Sequence, residues 1–477
     1  MRKAAATLVT AATVLVLGGG YAGLDAVDAV PGPLTTTAPP TAPTLPTAPA
    51  ATRPAQPADD VLPALDPAAP VPDPAVLGGE LAPLLADPAL GASVSASVVD
   101  ALTGQDLLSS AVDVARTPAS TTKILTGIAA LRALGDTSRA TTRVVDGATP
   151  DEVVLVAGGD VLLAAGAGNP DAVDGHAGIG DLAAQTAQAL LAAGRTTVAV
   201  RLDDAAFTGP TTSPGWGSGD VAAGFVMPIA PLAVDEARLT DAENAPRDAD
   251  PALAAARLFA TALAAHGVTV LDSGAGPVVR AAAQPGAAEL AAVSSATTAE
   301  QVELMLTTSD NTLAEVLARR VALAGDRPGT FDDASLAVVD QVAALGVDVS
   351  GVSLQGASGL GRGTRIPARV LTDVLTLVAG GDHPEFGPVA AGLPVAGVTG
   401  TLHDRYDQPD TLAAAGVVRA KTGTLTGVSS LAGYLRDADG RLLAFAVMSD
   451  SVAPGGSLSA RRAQDRFATA LAACGCH

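Results

Sequence analysis

Fourteen of the chain's 34 prolines fall between Pro31 and Pro74, mixed with alanine and threonine. A stretch so poor in amide donors and large apolar side chains builds no core and reads as an extended linker. In polyproline form, at roughly 3.1 Å per residue, it would reach on the order of 130 Å. Ahead of it, Arg2 and Lys3 precede an uncharged run from Ala4 to Leu24, followed by Asp25 and Asp28. Positive charge before an apolar run is the pattern of an export segment. Its length stands at the boundary between a signal peptide and a membrane anchor. The expected organisation is a signal peptide or anchor over 1–28, with anchoring through 4–24, then a linker over 29–75. The folded part follows, placed extracytoplasmically, either secreted or anchored at the cell envelope.

The chain holds 477 residues, more than one core usually serves, so two domains are expected in the folded part. A net charge of −21 leaves no basic face for phosphates, and 2% aromatic residues give no base-stacking platform. Nucleic acid is thereby excluded as a partner. Val94–Val99 alternates as a strand, with Leu107–Ser110 as its hairpin return. A helix is expected from Pro118 through about Leu134, and others near 299–306, 312–324, 332–345, 367–379 and 459–473. Leu431–Leu435 and Leu442–Met448 read as strands. Between about 150 and 290, strand-like VVLVAGG and TTVAVRL alternate with helical Leu182–Ala193 and Pro251–His266. The expectation is an α+β domain over 76–148 and 292–473, interrupted by an α/β-type inserted domain over 149–291. Cys474 and Cys476 are the only cysteines. They read as a frayed terminus with two thiols, their pairing left open, and no metal-binding cluster is present in the sequence.

Scarcity marks the chemistry. Lysine occurs three times, at Lys3, Lys123 and Lys421, and every other basic residue is arginine. Arginine stays protonated, whereas a buried lysine can give up its proton. Asparagine is equally rare, at Asn169, Asn244 and Asn311. Lys123 closes Ser120-Thr121-Thr122-Lys123, and a spacing of three puts Ser120 and Lys123 on one helical face. To accept the serine proton, Lys123 needs its pKa lowered from about 10.4 toward 7 by burial or a cationic neighbour. Ser309-Asp310-Asn311 precedes a helix, where all three residue types favour capping. The functional reading makes Ser309 a proton relay and Asn311 an amide that holds a substrate peptide. In Lys421-Thr422-Gly423-Thr424, lysine supplies positive charge and the threonine hydroxyls suit a carboxylate. Gly423 would leave room for a substrate backbone, the alternative being an ordinary strand-end turn. Two of three lysines in S-x-x-K and K-T-G, with S-D-N between them, is a coincidence hard to reach by chance.

These motifs, in this order, resemble those of the penicillin-recognising serine enzymes, β-lactamases and penicillin-binding proteins. TPASTTKILTGIAALRALG, LVAGGD, SPGW, LPVAGVTGTL and RAKTGTLTGVSSLAGYL are similar to one branch. This is the low-molecular-mass class C penicillin-binding proteins, the D-alanyl-D-alanine carboxypeptidase/endopeptidases, and the resemblance runs from about 90 to 470. Within the group, the 189 positions from Ser120 to Ser309 fit the branch that inserts extra domains there. The fold implied is a transpeptidase/β-lactamase-like domain with its insertion between the first and second motifs.

The resemblance implies a serine DD-peptidase without metal or organic cofactor, acting on peptidoglycan stem peptides and acylated by β-lactams. Carried over, Ser120 is the nucleophile and Lys123 its general base. Ser309 passes a proton to the leaving D-alanine, with Lys421 tuning it, and Asn311 orients the acyl donor's amide. Thr422 and Thr424 hold the terminal carboxylate beside Gly423, and the N–H groups of Ser120 and Thr424 form the oxyanion hole. Asp220 and Arg362 match the branch's acidic and basic pocket members for diaminopimelate. Phe225 and Ser358 join the substrate-binding set. Two stretches depart from the branch: Gly356-Ala357-Ser358-Gly359-Leu360-Gly361-Arg362 replaces D-G-S-G-L-S-R, and Ala157-Gly158-Gly159-Asp160-Val161 replaces G-G-G-D-P. His176, His266, His383 and His403 have no evident role. Two other readings share the fold. A β-lactamase would need a deacylating base that no residue announces, and a non-catalytic wall-binding or sensor protein sits badly with intact motifs.

Overall fold

Strands covered on both faces read as unbroken apolar runs, whereas strands with one wet face alternate. Both kinds occur in the computed structural model, which describes residues 66–476 apart from positions 243, 273 and 275. The expected signal or anchor over 1–28, and the expected linker as far as residue 65, lie outside the described residues.

One sheet has five antiparallel strands: β1 (Val94–Asp100), β2 (Asp106–Ser110), β11 (Arg419–Leu425), β12 (Val428–Arg436) and β13 (Leu442–Ser449), in the order β11–β12–β13–β1–β2. Helices α1 (Pro74–Leu85) and α10 (Ser457–Ala473) cover one face, where Leu77, Leu81, Phe467 and Leu471 meet Leu431, Leu443 and Phe445. The other face carries α2 (Lys123–Leu134), α5 (Thr298–Thr308), α6 (Asn311–Ala324), α7 (Phe331–Ala343), α8 (Ala368–Ala379) and α9 (Gly387–Gly392). There Ile128, Leu317 and Val374 share a core with Ala432, Ala444 and Met448. With both faces covered, β12 and β13 are buried almost end to end.

A second sheet comprises β3 (Arg139–Asp146), β4 (Glu152–Val156), β6 (Thr197–Asp203), β8 (Thr269–Val270), β9 (Val278–Arg280) and β10 (Glu289–Thr297). β3 pairs antiparallel with β4 and β10, while β4, β8 and β9 lie parallel to β6. α3 (Ile179–Ala192) and α4 (Pro251–Ala265) bury Leu182, Leu190, Phe259 and Leu263 in a separate core with Val153, Leu155, Val200 and Leu202. β5 (Asp160–Leu163) and β7 (Leu232–Val234) form a short parallel pair. The architecture is α+β, as the sequence predicts.

Three boundaries and the state of the C-terminal cysteines differ from expectation. The fold already includes residues 66–75 of the expected linker, because buried Arg441 donates to Pro67 O at 2.7 Å and Ala69 O at 3.3 Å. The second sheet spans 139–297 instead of 149–291, since β3 and β10 pair with each other. β3 is hard to read because exposed Arg139, Thr141 and Arg143 alternate with the modest apolar surface of Ala140, Thr142 and Val144. The segment after Pro118 begins as a 3-10 turn, Ala119–Thr122, and only then becomes α2. Cys474 and Cys476 are joined by a disulfide and buried, and the Asp73 N–H donates to Cys476 O, so this terminus is neither frayed nor free in its thiols.

Phe445 is fully buried on the face covered by α1 and α10, its ring centroid 6.5 Å from that of Phe467. Phe445→Ala should destabilise the protein by about 3–5 kcal/mol. The check is a lowered denaturant midpoint with an unchanged slope.

Candidate active site

The Ser120 turn is held in a conformation that most residues avoid. Ala119 has φ of 49°, in the left-handed region, and two threonines pin its neighbours. The Thr121 hydroxyl donates to Pro118 O at 2.9 Å and the Thr122 hydroxyl to Ala119 O at 2.8 Å. One helical turn after the serine, Lys123 is fully buried. Its Nζ lies 3.0 Å from Ser120 Oγ, 2.7 Å from Asn311 Oδ1 and 2.7 Å from Ser358 O. The Asn311 amide is oriented by donating Nδ2–H to Phe225 O at 2.9 Å, which leaves Oδ1 for Lys123. Burial pulls the Lys123 ammonium down from 10.5 to about 7, although the Asp310 and Glu315 carboxylates favour its charge. Two of its three contacts are carbonyl oxygens, which only accept. A neutral Nζ gives them its two protons and turns its lone pair toward the serine hydroxyl.

The second motif is a helix-to-helix corner. α5 opens on a Thr297–Glu300 capping box and ends at Ser309, whose φ of 64° turns the chain sharply. Asp310 caps α6 by accepting from Leu313 N–H at 2.8 Å. Capping and function therefore divide within one tripeptide: Asp310 starts the helix, while Asn311 reaches Lys123.

Lys421 lies inside the edge strand β11, not in a strand-end turn. It is fully buried, donates to Thr422 O at 3.0 Å, and is pushed well below 10.5 by burial and then by the charge of Lys123. The Thr422 hydroxyl sits 2.8 Å from that of Thr401, and Arg461 on α10 donates to Thr424 Oγ1 at 3.3 Å. Gly423 serves a different end from the one expected. A Cβ there would fall 2.5 Å from Pro118 O and against Ser430 Oγ, so the glycine admits the serine turn and not a substrate backbone.

Ser120, Phe225, Ser309, Asn311, Thr422 and Thr424 line one cavity of about 820 Å³. Its walls also include Glu236, Arg238, Asp310, Thr401 and Arg461, none of which stands out in the sequence beyond the capping position of Asp310. Arg461 belongs to a helix joined to Thr424 only by the fold. Ser358 is corrected: its side chain is fully buried, its hydroxyl accepts from Leu360 N–H at 3.2 Å, and it meets the site only through its carbonyl. The loops carrying Asp220 and Arg362 do touch, Arg362 N–H donating to Gly215 O at 3.1 Å. Asp220, however, closes its own turn by accepting from Gly217 N–H at 2.7 Å, and neither residue lines the Ser120 cavity. At Gly356, where the branch carries an acid, a Cβ would lie 2.7 Å from Glu315 Oε1. Glu315 instead accepts from the N–H groups of Ala357 and Ser358, at 3.0 and 2.9 Å. Of the histidines, His403 borders the cavity and bonds only to Gly400 O among the described hydrogen bonds.

The sequence matches the D-Ala-D-Ala carboxypeptidase 3 (S13) family over residues 77–248 and 243–471. A carboxypeptidase of Mycobacterium tuberculosis is 40% identical over 369 residues, covering 76% of this chain and 77% of that protein. Carboxypeptidase DacB of Mycolicibacterium smegmatis is 39% identical over 370 residues, 76% of each chain. The crystal structure of penicillin binding protein 4 from Haemophilus influenzae shares the fold, with a TM-score of 0.65 at 20% identity over 83% of this chain and 98% of that one. The chain belongs to the D-Ala-D-Ala carboxypeptidase 3 (S13) family, the class C penicillin-binding serine peptidases.

Proposed function

We propose that this serine peptidase hydrolyses the terminal D-Ala-D-Ala bond of peptidoglycan stem peptides through an acyl-enzyme on Ser120. The observation that carries the reading is the buried Lys123 amine, 3.0 Å from Ser120 Oγ and 2.7 Å from each of two carbonyl oxygens that can take N–H groups of the neutral form. As Oγ bonds to the carbonyl carbon of the penultimate D-alanine, its proton passes to Lys123 Nζ. The carbonyl electron pair moves onto oxygen, toward the N–H groups of Ser120 and Thr424. Collapse breaks the C–N bond, and the leaving nitrogen takes a proton through Ser309, resupplied from Lys123. Water then adds to the ester by the same base and frees Ser120. Thr422 and Thr424 receive the terminal carboxylate, with Arg461 behind Thr424 as its counter-charge.

The same pocket accepts a D-alanyl-diaminopimelate crosslink, whose leaving group also carries a carboxylate on a D-centre, so endopeptidase turnover belongs to the reading. A β-lactam enters as an acylating agent because its ring amide presents the same carbonyl and carboxylate. Action on peptidoglycan places the enzyme outside the cytoplasm, with residues 1–28 as its export signal or anchor.

Ser120→Ala should abolish the covalent adduct with a fluorescent penicillin, read by intact mass, while the melting temperature holds. An undiminished adduct would remove Ser120 as nucleophile. Because the neutral fraction of Lys123 grows as pH rises through about 7, the acylation rate should climb across that pH. Lys123→Arg, whose charge is permanent, should slow acylation by about 10²–10⁴-fold at every pH. Arg461→Ala should raise KM for a D-Ala-D-Ala peptide while kcat changes little, as for a lost ground-state contact. A fall in kcat at constant KM would place Arg461 elsewhere in the reaction.

A further inference from the structure

The wall of the Ser120 cavity contains a buried acid that the mechanism leaves unused. Glu236 is 1% exposed and sits in a short turn after β7 where Asp235, Glu236 and Ala237 all have positive φ, at 45°, 46° and 58°. Three consecutive non-glycine residues in the left-handed region persist only where the surroundings hold them. Here Glu236 Oε2 accepts from Arg238 at 3.1 Å and from Arg247 at 3.2 Å. Its other oxygen, Oε1, is buried without a donor among the described residues, a costly state for an ionised carboxylate. The same cavity wall holds another acid, Asp310, the middle residue of Ser309-Asp310-Asn311, whose carboxyl interacts with that of Glu236. Two interacting carboxyls disfavour each other's charge, and burial adds to this at Glu236. Asp310 Oδ1 accepts the Leu313 N–H that starts α6. The proton is assigned to Glu236, whose Oε1 has no donor among the described residues.

We propose that Glu236 is a positioning residue for the reaction, its protonated carboxyl donating to Asp310 and so fixing the corner that carries Ser309 and Asn311 against Lys123. The charged groups that face the pair are Asp310, Arg238 and Arg247, with Asp235 and Asp174 further out and Lys123 beyond Asp310. Burial and Asp310 both favour the protonated acid, while the two arginines oppose it. The folded state thus binds this proton more tightly than the unfolded chain. Its contribution to stability is present at low pH and is lost as pH rises through the acid's raised folded value.

The catalytic part of the proposal rests on the acyl-enzyme reading above, so the full-length wild type, Glu236→Gln and Glu236→Ala are compared in two assays. Glutamine keeps one oxygen for the arginines and one N–H for Asp310 but cannot ionise. Fluorescent penicillin acylation at neutral pH should fall by about tenfold or more in Glu236→Ala and stay within about twofold in Glu236→Gln. Toward alkaline pH the wild type should lose rate and Glu236→Gln should not. Independently of catalysis, the melting temperature of the wild type should drop relative to Glu236→Gln as pH rises above the ordinary carboxylate range. Equal loss in the glutamine and alanine variants, or coincident alkaline limbs, would overturn the positioning role. Parallel melting curves at every pH would overturn the proton. A wild type that is not acylated at all would instead remove the acyl-enzyme reading and the positioning role with it, leaving the melting comparison to judge the proton alone.

Discussion

Everything in the site hangs on removing one ammonium group from water. Lys123 is fully buried on the first turn of α2, and the cost of keeping its charge there brings its proton within reach of neutral pH. Burial alone would leave the amine indifferent to its neighbours. The carbonyls of Asn311 and Ser358 give it direction, since in the neutral form they can take its two N–H groups and leave the lone pair for Ser120, 3.0 Å away. Lys421, also fully buried, is itself pushed well below its ordinary value by burial and then by the charge of Lys123.

Supporting that amine takes four chain segments, and small residues mark where they meet. Gly423 is bare because the carbonyl of Pro118 and the hydroxyl of Ser430 fill the space of its side chain. Gly359 is bare because the turn at Ala119 lies against it. These contacts hold Ala119 in its left-handed conformation and so aim Ser120 into the cavity. Behind them, Glu315 ties the 357–358 backbone to α6, which fixes the Ser358 carbonyl relative to Asn311 on the same helix.

The second sheet has a core of its own, yet the turn after β7 reaches the catalytic corner through Glu236 and Asp310. Phe225 adds another tie through its carbonyl, which orients Asn311. The insertion between the first two motifs thus does more than narrow access to the serine. It supplies backbone and side-chain groups that set the orientation of residues on α6.

Much of this is legible in the sequence, because motif chemistry is local. Ser120 and Lys123 share a face by helical spacing alone, and the rarity of lysine and asparagine is enough to single out Lys123, Lys421 and Asn311. The long helices and the apolar strands β12 and β13 follow from periodicity. β3 escapes because its buried face is built from Ala140, Thr142 and Val144, too small to show a pattern. The sequence alone determined which residues are candidates for the chemistry and in what order they occur. Only the tertiary structure decided which partners they have: that Ser358 contributes a carbonyl and not its hydroxyl, that Gly423 faces the serine turn, and that Glu236 and Arg461 stand in the cavity wall. Arg461 is 37 positions along the chain from Thr424, and Ser358 is 235 from Lys123. No local spacing rule reaches that far, and burial, which sets the charge of Lys123, exists only once the cores have closed.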